Sequence, residues 1–149
     1  MSSPSREQLL QTTKLFLDAF NEFTPEGVVR HCSPTCTHRL LPATLKTPTQ
    51  TNAEYSNLIA SIREIMPDFK IGLVDGVEPA VDEVSRKVTL HLKSHSKTPV
   101  GVYQNEYVWV LTISQDGKSV DDILEFADSL YTSEMIPKLQ KAAVEAAKK

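Results

Sequence analysis

An α+β fold, in which a curved antiparallel sheet wraps over helices, is the class this sequence predicts. Helix start signals and apolar stripes crowd the first half of the 149 residues. From Phe69 onward the chain reads as an almost unbroken run of strands. Helices segregated from strands mark a helix layer packed on a sheet, and a sheet curved into a cone leaves a cavity beneath the helices.

The length suits one domain spanning 1–149, with enough chain for a sizeable core. A net charge of −3 and the absence of clustered Lys and Arg before the C-terminal tail exclude a nucleic-acid partner. No apolar run approaches the roughly 20 residues of a membrane span, and the N-terminus lacks an apolar secretion core, so a soluble cytoplasmic protein is expected. Two cysteines, Cys32 and Cys36, are too few for a disulfide framework and suit a reducing compartment.

Ser5, with Gln8, opens a first helix by a capping box, and Leu9, Leu10, Thr13, Phe16, Leu17 and Phe20 give it a broad apolar stripe ending near Asn21. Thr24-Pro25-Glu26 repeats the start signal for a short second helix ending near Arg30. Residues 36–41 have strand character, closed by Pro42, and residues 43–51 form a Thr/Pro-rich loop near the pocket mouth. Thr51 and Glu54 cap a third helix whose apolar face is Tyr55, Leu58, Ile59, Ile62, Ile65 and Met66, stopped by Pro67. Residues 69–77 and 83–94 are strands joined around Glu78-Pro79, with Val88, Leu90 and Leu92 on one face of the second. A last helix runs from Ser133 into a fraying Ala/Lys tail.

Between them lies the central hairpin. Read with a period of two, residues 102–113 place Tyr103, Asn105, Tyr107, Trp109, Leu111 and Ile113 on one face. Tyrosines, a tryptophan and one amide suit the floor of a pocket. Val102, Val108 and Val110 make the opposite face too apolar for bare solvent, which points to a homodimer contact. Asp116-Gly117 turns the chain, and residues 119–128 return as the last strand.

The element order, with Met66-Pro67-Asp68-Phe69, Asp116-Gly117-Lys118 and Glu125-Phe126-Ala127-Asp128, resembles the SnoaL-like branch of the NTF2-like superfamily over nearly the whole chain. His38-Arg39-Leu40-Leu41-Pro42, Asn52-Ala53-Glu54-Tyr55, Tyr103-Gln104-Asn105-Glu106-Tyr107-Val108 and Glu125-Phe126-Ala127-Asp128-Ser129 look like the fungal isomerases of meroterpenoid and tetrahydroxanthone pathways. The resemblance implies a cone-shaped fold and a cofactor-free isomerase of polycyclic polyketides or meroterpenoids. A hydrolase or dehydratase, or a non-catalytic small-molecule-binding dimer, is the alternative on the same cone.

Asp128 is in phase with Leu124 and Phe126, so alternation aims a carboxylate along an apolar face, where burial would raise its pKa. The last-strand Asp of SnoaL-like cyclases is their acid/base, and Asp128 matches it by motif; the alternative is a cap for the following turn or a pair with Arg39 or Arg63. His38 and Arg39 point to opposite faces of their strand, and the sequence does not decide which enters the cavity. Tyr55, Ile59, Arg63, Phe69, Tyr103, Asn105, Tyr107, Trp109 and Phe126 are the expected substrate contacts.

His31, Cys32, Cys36 and His38 invite a zinc reading. The pairs read as a helix end and a strand separated by Pro34, however, so no metal is expected. His91 and His95 read as solvent or subunit-contact residues, although His95 could reach a pocket mouth. The absence of a Gly-rich phosphate loop or dinucleotide fingerprint leaves no nucleotide cofactor expected.

Overall fold

The computed structural model describes residues 2–149. Helix α1 spans Arg6–Phe20 and buries Leu9, Thr13, Phe16 and Phe20, the stripe its sequence carries. The Ser5 hydroxyl accepts from the Gln8 N–H at 3.2 Å. The reciprocal half of the capping box is missing because Gln8 donates from Nε2 to the Asp116 carbonyl at 3.3 Å, tying the helix start to the last hairpin turn. Thr24 also caps, accepting from the Gly27 N–H at 2.9 Å. Only a 3-10 turn, Gly27–Val29, follows where a second helix was expected. A Cβ at Gly27 would lie 2.6 Å from the Ala19 carbonyl oxygen, so this turn is wedged against the end of α1.

Strand β1 runs Cys32–Leu41, starting earlier than expected and taking in Pro34. Helix α2, Asn52–Ile62, carries the full Thr51/Glu54 capping box and passes into a 3-10 turn at Arg63–Ile65. Strands β2 (Lys70–Leu73), β3 (Ala80–Asp82), β4 (Lys87–Thr98), β5 (Gly101–Ile113) and β6 (Val120–Ala127) follow. β4 starts at Lys87 rather than 83 because the Asp82 carboxylate accepts from the Val84 and Ser85 N–H groups and the Ser85 hydroxyl, folding those residues into a turn. Helix α3, Ser129–Ala147, starts ahead of the expected Ser133 because Asp128 is its N-cap, accepting from the Tyr131 N–H at 3.2 Å.

The strands form one sheet ordered β1-β6-β5-β4-β2, with β3 beside β4. The ladder is antiparallel except for the parallel β1–β6 pair. The alternation read in β5 holds: Asn105, Tyr107, Trp109, Leu111 and Ile113 are buried, whereas Val102 and Val108 are exposed. Register carries that inner face across the sheet. Trp109 pairs with Glu125, which pairs with Leu40, and Leu111 pairs with Ile123, which pairs with His38. Helices α1 and α2 cover this face. Phe20 meets Trp109 edge-on at 5.3 Å and Phe23 stacks on Phe69 at 4.2 Å. Each such ring contributes roughly 1.5–3 kcal/mol by burial, so the aromatic cluster fixes the distance between helices and sheet.

Candidate active site

Where the cone opens, sheet and helices leave a cavity of about 590 Å³, within the roughly 300–1,000 Å³ of small-molecule sites. Tyr103, Asn105, Tyr107 and Trp109 of β5 form its floor, and Phe20, Tyr55, Ile59 and Phe69 its helical side. Leu45, Lys46, Thr47 and Pro48 stand in the loop expected at the mouth.

Glu125 is the carboxylate inside this cavity. It lies on the inner face because it pairs with Trp109. The Tyr55 hydroxyl donates to its Oε1 at 3.3 Å. Burial pushes the Glu125 carboxyl up to about 7, against the smaller opposing pull of His38 and the Tyr55 hydrogen bond. Tyr55 is itself raised well above an ordinary phenol, first by burial and then by the Glu125 charge, so it stays a neutral donor.

His38 faces inward, 3% exposed, with its ring stacked on Tyr55 at 4.5 Å between centroids. Its Nε2 lies 2.8 Å from Asn52 Oδ1, while Asn52 Nδ2 donates to the Ser33 carbonyl at 2.8 Å. The amide is thereby oriented with its oxygen toward the ring, which places the imidazole proton on Nε2. Burial opposes the imidazolium, but the neighbouring Cys36 sulfur and Asn52 outweigh it, leaving the His38 pKa raised. The backbone of His38 is fixed by a reciprocal pair of 2.9 Å bonds with Gln50.

A second polar group lies along β5. The Tyr107 hydroxyl is 2.6 Å from Ser94 Oγ and 3.2 Å from the Tyr103 hydroxyl. Asn105 Nδ2 donates to the Tyr103 hydroxyl at 2.8 Å and to Thr132 Oγ1 at 3.0 Å. Burial raises both tyrosine pKa values, so these hydroxyls also remain protonated. An acid/base carboxyl and a row of neutral hydroxyls in one apolar chamber suit proton movement beside an oxygen that gains charge.

Of the residues expected from sequence, His38, Tyr55, Ile59, Phe69, Tyr103, Asn105, Tyr107 and Trp109 meet in the cavity. Arg39 is at its rim, its guanidinium paired with Asp122 at 2.8 Å. Arg63 is exposed on the turn after α2, outside the cavity lining. Phe126 and Asp128 also fall outside it: Phe126 is 53% exposed, and Asp128 is an exposed helix cap on the outer side. The cause is the phase of β6. Its inner residues are Ile123, Glu125 and Ala127, so the alternation through Leu124, Phe126 and Asp128 is the outer face. Glu125 was the residue that reading missed, and the only signal for it was the register of β6 against Trp109. His95 is exposed and pairs with Gln104 away from the cavity.

No protein-family profile matches the chain. Austinoid biosynthesis clusters protein H of Penicillium brasilianum is 38% identical over 128 residues, covering 85% of this chain and 87% of the relative. The crystal structure of BvnE pinacolase from Penicillium brevicompactum superposes with a TM-score of 0.88 at 34% identity, over 95% of this chain and 97% of that one. This chain belongs to the fungal meroterpenoid-pathway family of the austinoid biosynthesis cluster proteins. A SnoaL-like polyketide cyclase structure from Jannaschia sp. CCS1 shares the fold at a TM-score of 0.67 and 12% identity, over 89% of this chain and 94% of that one. The austinoid-cluster relatives and the 34% identical pinacolase support a biosynthetic enzyme of secondary metabolism. No helix among the described residues is long and apolar enough to cross a membrane.

Proposed function

We propose that this SnoaL-like enzyme is a cofactor-free, cytoplasmic isomerase of a polycyclic polyketide of tetrahydroxanthone type or of a meroterpenoid intermediate, with Glu125 as its acid/base. The observation that carries the reading is a cavity carboxyl whose pKa is pushed up to about 7, so that both protonation states are populated near neutrality. The Glu125 carboxylate takes a proton from a carbon beside a substrate carbonyl, the C–H bonding pair becomes a new C=C bond, and the carbonyl π pair moves onto the oxygen. The Tyr103 and Tyr107 hydroxyls, linked to Asn105, hold the resulting enolate oxygen. The Glu125 acid then returns the proton to a different carbon, so no co-reactant is consumed. His38 acts as a positioning residue, holding the Tyr55 ring from which the phenol reaches Glu125. Asp128 stands outside this scheme as a helix cap.

Wash-in of deuterium from heavy water tests the reading with a cavity-sized polycyclic ketone. Enzyme-dependent exchange beside the carbonyl, lost in Glu125→Gln, is expected. Exchange that persists in Glu125→Gln contradicts it.

The likeness to a pinacolase favours a second use of the same carboxyl. Protonated Glu125 would give its proton to a hydroxyl that leaves as water. A neighbouring substituent would then migrate with its bonding pair, and the new carbonyl would return a proton to Glu125. Loss of one water from the product mass separates this route from enolisation, and also separates it from simple binding without turnover.

The enzyme is proposed to work as a homodimer through the outer sheet face. Val108 and Phe126, 41% and 53% exposed, pair across β5 and β6 on that side, and Val102 is 62% exposed farther along β5.

A further inference from the structure

We propose that Cys32, Cys36 and His38 form a zinc site on β1, with two thiolates and the His38 Nδ1 as ligands. Four residues along a regular strand span about 13 Å, yet the Cys32 and Cys36 sulfurs and a His38 ring nitrogen all lie within 4.8 Å of one another. The β1–β6 ladder shifts register between Cys32 and Thr37, and this irregularity is what gathers the sulfurs. Both cysteines therefore belong to one strand, and the separation that argued against metal in the sequence does not exist in the fold.

The histidine is prepared for the role. Its Nε2–H is taken by Asn52 Oδ1, so the neutral ring carries its lone pair on Nδ1. That Nδ1 is buried and has no hydrogen-bond partner among the described residues. Asn52, anchored on the Ser33 carbonyl, plays the part of the outer group that fixes the tautomer and orientation of a metal-bound imidazole. The Cys36 thiol donates a long 3.7 Å contact to the Thr37 carbonyl, which is lost when metal replaces its proton.

Charge and softness select the ion. Two thiolates and a neutral imidazole neutralise a divalent cation, which suits a buried position, and thiolate with imidazole is a zinc donor set. In a tetrahedral site with bonds of roughly 2.0–2.3 Å, ligand atoms stand about 3.5–3.8 Å apart, so this cluster needs only to contract. Binding breaks two S–H bonds, releases both protons to solvent and forms two Zn–S bonds and one Zn–N bond. The fourth position falls to water on the side of Cys32, which is partly exposed.

The test is equilibrium dialysis of the reduced, full-length protein against Zn²⁺, with metal counted per chain. One zinc per chain, stripped by a chelator and lost in Cys32→Ser, is expected. Co²⁺ added to the unmodified protein, which needs no variant to fold, should give thiolate-to-cobalt charge-transfer absorption and the intense visible bands of tetrahedral cobalt. No stoichiometric zinc, equal binding by Cys32→Ser, an octahedral cobalt spectrum without charge transfer, or a Cys32–Cys36 disulfide as the sole reaction of the pair would each overturn the proposal. The zinc braces β1 and takes no part in the Glu125 proton transfer, which stays cofactor-free, and neither readout uses turnover, so the isomerase reading can fail without affecting it.

Discussion

The Tyr55 hydroxyl donates to Glu125 Oε1 at 3.3 Å, joining a helix residue to a strand residue across the mouth of the cone. The pair explains how a carboxyl can sit in an apolar chamber: one donor offsets part of the burial cost, but not enough to restore an ordinary acid.

A pH dependence of stability follows. The folded-state pKa of Glu125 is raised from 4.5 to about 7, so between those values the folded protein holds a proton that the unfolded chain has released. Its contribution therefore favours folding at low pH, declines as pH rises through this window and is constant above it. Denaturant unfolding at several pH values should show this decline in the parent and not in Glu125→Gln. Carbon NMR of the carboxyl should place its midpoint near 7.

Removing the phenol should sharpen the same effect. Tyr55→Phe keeps the ring stacked on His38 but deletes the hydrogen bond that lowers the Glu125 pKa. The Glu125 midpoint should move upward, and turnover at neutral pH should fall on the order of 10-fold as the carboxylate becomes scarcer. A midpoint that stays in place would show that the hydroxyl does not engage Glu125.

Asn52 supports the site from behind. Asn52→Ala leaves the buried His38 Nε2–H and the Ser33 carbonyl without their partners. A loss of about 1–3 kcal/mol in denaturant unfolding is expected, the cost of orphaning a buried polar group. A change below the error of the measurement would mean that water replaces the amide.

The outer face has its own check. Phe126→Asp places a charge in the exposed apolar surface and leaves the cavity lining intact. Sedimentation at micromolar concentration should show a dimer for the parent and a 16.6 kDa monomer for the variant. A monomeric parent would remove the dimer from the account.

Much of the cone was legible because periodicity records burial. The stripe of α1, the cap at Thr51 and the alternation of β5 all name residues that pack as read. β6 misled because it inverts the rule that alternation depends on. Phe126 is on its exposed outer face, whereas the ionisable Glu125 is turned inward toward Tyr55. A strand that turns an ionisable group inward and an aromatic ring outward reads backwards from hydropathy. His38 and Arg39 could not be separated for a related reason: Leu40 and Leu41 follow them in opposite phases, and the pairing of His38 with Ile123 fixes which one faces inward. The cysteine cluster depends on a register shift that no local pattern encodes.

Turnover of Glu125→Gln beside Asp128→Asn tests the central claim most directly, since the two carboxylates sit three positions apart but on opposite sides of the sheet. Glu125→Gln should fold and lose about 10²-fold or more in kcat, the range for removal of an acid/base group, while Asp128→Asn should keep near-parent activity because asparagine also caps a helix. Full activity in Glu125→Gln together with collapse in Asp128→Asn would contradict the account.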